Sequence, residues 1–339
     1  DLDHTNSTLY RLGGDEFAVF IRDIESSIAV KLSGSLLAAL NKPFALKDVN
    51  LEISGSIGIA LFPQHGRDSH ALLRSADVAM YKAKQTGAGV TLYHRDLDFN
   101  STERLEMIAD FRHSIRQNEL VLYYQPKISL TSNTIVGFEA LVRWEHPRLG
   151  LLSPDRFLPL IEMTDTIHDL TRALLEKACA QLQRWRETGL DHSLSVNLSA
   201  RNLIDDRVGM QLKQLMDIYP LARNYLDLEI TETALIQDPE RALSLMERIA
   251  ALGITFSVDD FGTGYFSLSY LRRMPISTLK IDRTFIHNMQ KNPQDRVIVE
   301  STIMLAHNLS LNVVAEGVES EDVLQQLFTM NCDQVQGYL

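Results

Sequence analysis

The chain has 339 residues, a length that predicts about two domains. Its formal net charge of -11 argues against a general nucleic-acid-binding protein, so we expect no DNA or RNA partner, whereas a small anion held through metal ions remains compatible. The two cysteines, Cys179 and Cys332, lie far apart and favour a reducing cytoplasm over a disulfide framework. We find no signal peptide and no apolar run of the roughly 18 residues that cross a bilayer, but the sequence reads as a fragment that begins partway through a domain. Anchoring of a longer protein at the inner membrane therefore stays open.

Residues 1–95 predict a small α+β unit. Two short strand-like runs, 9–12 and 16–21, flank a glycine pair and predict a hairpin, because glycine permits the backbone of a tight turn. Ser69 is the expected N-cap of an amphipathic helix over 69–84, with Gly87 just past its end. Residues 96–110 are polar and charged and predict a helical linker. The other predicted elements of this unit are a helix over 25–40 and strands over 51–63 and 89–93.

From residue 111 to 339 strand-like runs alternate with helical ones, which favours an α/β fold, a (β/α)8 TIM-like barrel. The first two strands are joined by the short polar link TSNT, so we expect them to form an antiparallel hairpin and the barrel to depart from the ideal at its start. The predicted strands are VLYYQPKI, IVGFEALVRW, SLSVNLS, LDLEITE, TFSVDDF, TLKID, NVVAEGV and DQVQGY, and the predicted helices cover 168–188, 201–218, 239–252, 295–310 and 320–330.

Two adjacent carboxylates, Asp259 and Asp260, end the strand-like run ITFSV and precede the glycine-rich loop FGTG. Like charges this close repel each other unless a cation or a proton separates them. Oxygen ligands suit Mg²⁺, Mn²⁺ or Ca²⁺, so a divalent metal would resolve the repulsion. Taken alone, the pair is also explained by an exposed acidic strand end.

Polar residues end nearly every predicted barrel strand, which is where barrel active sites lie. Several acids on one rim predict a two-metal site of the kind that hydrolyses phosphoesters. Lys280 is the single cation among them and is expected to hold the attacking water or a phosphoryl oxygen, with a plain salt bridge as the alternative. Arg143 suits a phosphate oxygen or a guanine edge, or else a surface ion pair. The strand-end residues are Glu139, Asn197, Glu229, Glu232, Asp259, Asp260, Lys280, Glu316 and Gln336.

Seven motifs over residues 103–339 resemble the EAL phosphodiesterase family: EALVRW, NLS, EITET, DDFGTGY, LKID, AEGVE and QGY. The resemblance implies hydrolysis of the bacterial second messenger cyclic di-GMP to linear pGpG with two Mg²⁺ or Mn²⁺ ions, and it suggests a homodimer. The metal ligands it implies are Glu139, Asn197, Glu229, Asp259, Asp260 and Glu316.

The same resemblance implies roles for further residues. Lys280 positions the catalytic water, and Glu139, Glu316 and Glu232 are counted with it as catalytic. Glu232 and Glu319 hold the loop 261–268, in which Phe266 stands where the family often has serine. No catalytic residue is missing, so the resemblance implies an active enzyme. The implied contacts to cyclic di-GMP are Gln125, Leu141, Arg143 and Gln336.

The motifs RLGGDEF, SGSIGIA and ADVAMYKAK resemble the GGDEF family of diguanylate cyclases. The resemblance implies that Gly13 and Gly14 admit GTP while Asp15 and Glu16 bind metal and nucleotide. The upstream half of that domain is absent, and Ala88 stands where the family usually has arginine. His4 and Ser7 also replace the inhibitory RxxD site. We therefore expect residues 1–95 to be a partial, regulatory or structural GGDEF domain without cyclase activity, with GTP binding and a bifunctional full-length protein left open.

Two other functions remain open at this point. A cyclic di-GMP receptor would bind the nucleotide without turnover, although receptors of this type usually lose metal ligands. A Schiff-base aldolase could use a strand-end lysine, but the acids around Lys280 would keep it protonated and poorly nucleophilic.

Overall fold

The computed structural model describes residues 7–13, 16–40, 44–46, 49–51, 55–97, 102–162, 164–235, 238–262 and 268–338. The chain divides into two compact units, one ending at residue 105 and the other beginning at residue 106. Among the helices in these ranges, none is long and apolar enough to cross a lipid bilayer.

The first unit is built from short strands and two helices. The predicted hairpin is confirmed as an antiparallel strand pair, although its turn residues Gly14 and Asp15 lie outside the described residues. The third and fourth strands are also antiparallel, and the fifth and sixth are parallel. The elements are β1 (Ser7–Gly13), β2 (Glu16–Ile21), α1 (Ser26–Leu40), β3 (Phe44–Leu46), β4 (Val49–Leu51), β5 (Ile57–Ile59), α2 (Ser69–Thr86) and β6 (Val90–Leu92).

Two details of this unit differ from the sequence prediction. The N-cap of α2 is Asp68 and not Ser69, because the Asp68 side chain accepts a 2.8 Å hydrogen bond from the backbone N–H of Ala71. The strand predicted over 51–63 is reduced to β5 and the end of β4 within the described residues. At Gly58 a Cβ would lie 2.0 Å from a backbone oxygen of α2, so this strand owes its position to close packing on the helix. Gly87 does end α2, with a φ of 67°.

The second unit contains the remaining strands and helices. Its first helix begins at Thr102, just before the division between the units, and continues across the predicted domain boundary at residue 110. Phe111 within this helix is fully buried against Trp144 and Phe157. The elements are α3 (Thr102–Gln117), β7 (Leu120–Ser129), β8 (Thr134–His146), β9 (Gly150–Leu152), α4 (Pro154–Ile161), α5 (Thr166–Glu187), β10 (Ser193–Asn197), α6 (Ala200–Leu203), α7 (Asp206–Ile218), β11 (Leu226–Thr231), α8 (Pro239–Ala250), β12 (Thr255–Phe261), α9 (Leu268–Leu271), β13 (Thr278–Ile281), α10 (Arg283–Asn288), α11 (Pro293–Asn308), β14 (Asn312–Val318), α12 (Glu321–Thr329) and β15 (Gln334–Gly337).

Eight of these strands close into a barrel in the order β7, β8, β10, β11, β12, β13, β14, β15 and back to β7. The eight predicted strands are thereby confirmed, and β9 is an unpredicted addition that pairs with the end of β8. The first strand, β7, is antiparallel to both of its neighbours, as expected for the hairpin, and the other barrel pairings are parallel. A (β/α)8 barrel with an antiparallel first strand pair is therefore the fold of this unit.

Strand alternation determines which side chains enter the barrel. On β11, Leu226, Leu228 and Ile230 are fully buried in the apolar core, and they alternate with two acids. One of those acids, Glu229, contacts lysines on β7 and β13, which are not neighbours of β11 in the sheet. The acids of β11 therefore point into the barrel, while its leucines pack outward against the helices.

Candidate active site

A buried lysine lies at the centre of a ring of carboxylates inside the barrel. Lys280 on β13 is fully buried, and four acids on four other strands surround its ammonium group. Its Nζ lies 3.3 Å from Glu139 Oε2, 2.7 Å from Glu229 Oε2, 3.2 Å from Asp259 Oδ1 and 2.6 Å from Glu316 Oε1. Burial lowers the pKa of Lys280, but the surrounding acids outweigh it and raise that pKa well above its usual value. A lysine held charged in this way is a poor nucleophile, which disfavours Schiff-base chemistry.

Strand pairing brings these residues to one level of the barrel. Asn197 is the register partner of Glu229, Glu316 that of Gln336, and Gln125 that of Glu139. Because the parallel strands run in the same direction, residues that pair in register on neighbouring strands lie at the same height in the barrel, towards the rim where their C-terminal ends lie. The structure thus collects on one rim polar residues that are far apart in the sequence.

Glu139 is held by two amide side chains. Asn197 Nδ2 donates to its Oε1 at 2.7 Å, and Gln336 Nε2 donates to its Oε2 at 2.7 Å. Gln336 also donates to Gln125 Oε1 at 3.0 Å, while its own Oε1 is buried with no hydrogen-bond partner among the described residues. Burial raises the pKa of Glu139, and the neighbouring charge of Glu229 raises it further. The site therefore concentrates negative charge and leaves an acceptor oxygen unused.

Asp259 and Asp260 face the same place although they are consecutive. In a regular strand their side chains would point to opposite faces. Asp260 instead has a φ of 53°, and the pairing of β12 with β13 shifts register between Val258 and Phe261. Aspartate tolerates this left-handed backbone better than most residues. As a result Asp259, Asp260 and Glu316 each offer an oxygen, and these atoms all lie within 4.8 Å of one another.

Two acids of this group, Asp260 and Glu316, have pKa values above their usual range. Burial raises the pKa of Glu316 to about 8, with Lys280 opposing the rise and Asp259 adding to it. Burial also raises the pKa of Asp260 to about 6, helped by the charge of Asp259 and a hydrogen bond with Asp282. One lysine therefore does not neutralise the cluster, and a further cation would be bound favourably.

The donor set fits a divalent cation. Carboxylate and amide oxygens are the ligands that Mg²⁺ and Mn²⁺ prefer, and the cluster of Asp259, Asp260 and Glu316 supplies them at the rim. The unused oxygen of Gln336 and the excess negative charge point the same way. The residues present therefore fit the metal ions that the sequence predicts, while the identity and number of the ions stay predictions.

Sequence reasoning missed a second buried cation, Lys127 on β7. Its Nζ lies 2.6 Å from Glu229 Oε1 and donates to Ser195 Oγ at 2.6 Å. Burial raises the pKa of Glu229, but Lys280 and Lys127 together lower it to about 2. The signal in the sequence was the two-residue spacing of Gln125 and Lys127, which places both side chains on one strand face.

The predicted nucleotide contacts lie along two paired strands. Gln125 and Gln336 meet Glu139 directly. Leu141 and Arg143 follow Glu139 on β8 at two-residue intervals, so they share its strand face. The Arg143 guanidinium lies 5.5 Å from the ring centroid of Tyr123. Their contacts with a ligand stay predictions.

Glu232 and Glu319, which are predicted to hold the loop 261–268, differ in their burial. Glu232 is buried, and its Oε2 accepts a 3.2 Å hydrogen bond from the backbone N–H of Gly262 at the start of the loop. Glu319 is exposed, with Oε1 3.7 Å from His287 Nε2. Phe266 lies outside the described residues, and its effect on the loop stays a prediction.

The predicted nucleotide residues of the first unit flank the turn between β1 and β2. Gly13 ends β1 and Glu16 begins β2, while Gly14 and Asp15 lie outside the described residues. Their proposed contacts with GTP therefore stay predictions.

Fold and site together define an α/β barrel protein with a candidate divalent-metal centre at the C-terminal ends of its strands. The family model of the EAL domain matches residues 108–339, and that of the diguanylate cyclase GGDEF domain matches residues 2–89. The first of these matches covers more than half of the chain, which therefore belongs to the EAL family.

Individual relatives agree with this assignment. The chain is 39% identical over 334 residues to the bifunctional diguanylate cyclase/cyclic di-GMP phosphodiesterase MucR of Pseudomonas aeruginosa, covering 98% of this chain and 49% of MucR. It is 36% identical over 339 residues to the cyclic di-GMP phosphodiesterase PdeR of Escherichia coli, covering 100% of this chain and 51% of PdeR. The solved structure of the PaMucR phosphodiesterase in complex with c-di-GMP superposes with a TM-score of 0.66 at 39% identity, over 68% of this chain and 94% of that one. The chain spans about half the length of the curated relatives it matches.

Proposed function

We propose that this chain is a metal-dependent phosphodiesterase that hydrolyses cyclic di-GMP to linear pGpG. The observation that carries the proposal is the ring of four carboxylates around the buried Lys280, beside the cluster of Asp259, Asp260 and Glu316. Membership of the EAL family and similarity to proteins described as cyclic di-GMP phosphodiesterases support the choice of substrate.

The polar residues of the rim form the proposed metal site. When bound there, Mg²⁺ or Mn²⁺ ions would supply the charge that stabilises the attacking and leaving oxygens of an in-line displacement. The residues that would hold them are Glu139, Asn197, Glu229, Asp259, Asp260 and Glu316.

Lys280 orients the attacking water in this proposal. Its pKa is raised well above the usual value, so it stays protonated and donates hydrogen bonds to the water or to a phosphoryl oxygen. Lys280 therefore cannot be the group that accepts the proton of that water. We assign that role to Glu139 and Glu316, two of the four carboxylates around its ammonium group, because the family resemblance counts both as catalytic.

Residues beside the cluster would recognise the nucleotide. Gln125 and Gln336 present amide groups at the site, and Leu141 offers an apolar contact. The planar guanidinium of Arg143 suits a phosphate oxygen or a guanine edge. Glu232 would keep the loop after Asp260 in place through its hydrogen bond to Gly262.

The first unit has a regulatory role in this proposal. We retain residues 1–95 as a partial GGDEF domain, 96–110 as a helical linker and 111–339 as the catalytic domain. GTP bound near Gly13 and Glu16 would change the rate of the barrel and would not be cyclised. A homodimer belongs to the same proposal.

Replacement of one ligand tests the proposal. Glu139→Ala should abolish the conversion of cyclic di-GMP to pGpG in the presence of Mn²⁺, as resolved by chromatography. Glu145→Ala is the matched control, because Glu145 lies on the same strand but is exposed, and it should leave turnover unchanged. Unchanged turnover in Glu139→Ala would refute the proposal. Binding of cyclic di-GMP without hydrolysis by the unmodified chain would place it among the receptors.

A further inference from the structure

A second polar layer lies directly beneath the proposed metal site. We give the name lower polar layer to Lys127, Ser195, Asp227 and Ser257, all of which are buried. Each of these residues lies two positions from a residue of the site on the same strand. The pairs are Ser195 and Asn197 on β10, Asp227 and Glu229 on β11, Ser257 and Asp259 on β12, and Lys127 and Gln125 on the antiparallel β7. A spacing of two keeps both side chains on the inner face of the strand. The layer is therefore built into the strand pattern below the site.

Asp227 is the fixed end of this layer. Its Oδ2 accepts hydrogen bonds from Ser195 Oγ at 2.8 Å and from Ser257 Oγ at 2.7 Å, and its Oδ1 accepts one from Thr255 Oγ1 at 2.8 Å. The hydroxyl hydrogen of Ser195 is therefore committed to Asp227. Ser195 Oγ can therefore only accept from Lys127, and Lys127 Nζ donates to it at 2.6 Å. Three strands thus fix the position of the Lys127 ammonium group.

Lys127 in turn fixes one oxygen of Glu229. It holds Oε1 at 2.6 Å, while Oε2 lies 2.7 Å from Lys280 on the side of the carboxylate ring. Both side chains are excluded from water, since Lys127 is 5% and Glu229 is 1% exposed. With Oε1 bound to Lys127, Oε2 is the oxygen that Glu229 presents to Lys280 at the centre of the carboxylate ring.

From these contacts we propose that Lys127 is a positioning residue, which orients the metal ligand Glu229 so that Oε2 faces the cation. The inference rests on the proposed function of the same site. A lysine that only stabilised the barrel would form the same ion pair with Glu229. A measurement of stability therefore does not distinguish a structural role from a positioning role, whereas a measurement of cation affinity does.

The test is direct Mn²⁺ binding by the full chain without substrate, followed by calorimetry. Lys127→Met keeps the length of the side chain and removes its charge. Loss of a residue that orients a metal ligand typically weakens metal binding about 10–100-fold, and we expect a loss in this range. Lys213→Met on α7 is the control, because Lys213 is exposed, and it should bind Mn²⁺ as the unmodified chain does.

A double-mutant cycle with Glu229→Gln distinguishes positioning from a purely structural role. If Lys127 acts through Glu229, Lys127→Met should cause little further loss of Mn²⁺ affinity in the Glu229→Gln background. An equal loss in both backgrounds would overturn the inference, as would unchanged affinity in a folded Lys127→Met variant. If circular dichroism shows that Lys127→Met does not fold, Ser195→Ala takes its place. A several-fold loss in that variant supports positioning, and unchanged affinity overturns it.

The outcomes separate this inference from the proposed function. If the unmodified chain binds no Mn²⁺, the proposed metal-dependent function fails and the inference fails with it. If the unmodified chain binds Mn²⁺ and hydrolyses cyclic di-GMP while Lys127→Met binds Mn²⁺ equally well, only the inference fails.

Discussion

Glu316→Gln should make the metal-free protein more stable while removing its activity. The pKa of Glu316 is raised from 4.5 to about 8, so the folded protein binds this proton more tightly than the unfolded chain does. The stability associated with the proton is present below the unfolded pKa near 4.5 and is lost as the pH rises towards 8. At about 1.4 kcal/mol per pKa unit, the loss has an upper limit of about 5 kcal/mol.

The net gain from the substitution is smaller, because Lys280 also loses one of its four acid partners. We therefore expect Glu316→Gln to exceed the unmodified chain by roughly 2 kcal/mol at pH 8 and to differ little from it at pH 5. The assay is urea unfolding in the presence of a chelator at both pH values. Glu300→Gln is the control, since Glu300 is exposed and lies outside the site, and it should change neither value. If Glu316→Gln is no more stable than the unmodified chain at pH 8, the electrostatic reasoning is wrong.

Three further predictions follow from the site. Lys280→Met should abolish turnover and destabilise the metal-free protein by about 3–5 kcal/mol, because buried acids lose their cation, as measured by urea unfolding. The affinity for Mn²⁺ should fall as the pH is lowered from about 8 to 6, because Glu316 and Asp260 have raised pKa values and protons then compete with the metal for their carboxylates. Calorimetry in two buffers of different ionisation enthalpy should detect the protons released when Mn²⁺ binds. Glu232→Ala should lower kcat about 10–100-fold with little change in Mn²⁺ affinity, because Gly262 loses its hydrogen-bond acceptor.

Each of these predictions has a contradicting result. Full turnover in Lys280→Met would contradict the first prediction, and Lys291→Met is its control because Lys291 is exposed. An Mn²⁺ affinity that does not change between pH 8 and pH 6 would contradict the second. An unchanged kcat in Glu232→Ala would contradict the third, as would an effect of equal size in Glu247→Ala, the control at an exposed residue.

The barrel and most of its rim could be predicted because their signals are local. Each strand is a short apolar run that ends in polar residues, and parallel strands bring those ends together. Glu139 and Lys280 are 141 residues apart in the sequence, yet the alternation of strands and helices was sufficient to place them on one rim.

Other features depend on tertiary contacts that no local pattern shows. Strand alternation predicts opposite faces for Asp259 and Asp260, and only the positive φ of Asp260 brings them together. Lys127 was missed because a lysine in a strand is usually exposed, and its burial depends on Glu229 across the barrel. Aspartate and serine are both favoured N-cap residues, so the sequence does not show whether Asp68 or Ser69 caps the helix α2.

The central claim is that a metal centre on the barrel rim cleaves cyclic di-GMP. The most direct measurement is chromatography of the products formed by the full chain with Mg²⁺ or Mn²⁺, with a chelator, and after metal is added back, each with and without GTP. We predict linear pGpG only when metal is present, and a GTP-dependent rate if the first unit is regulatory. Cyclic di-GMP that is bound but remains intact at every metal concentration would contradict the account.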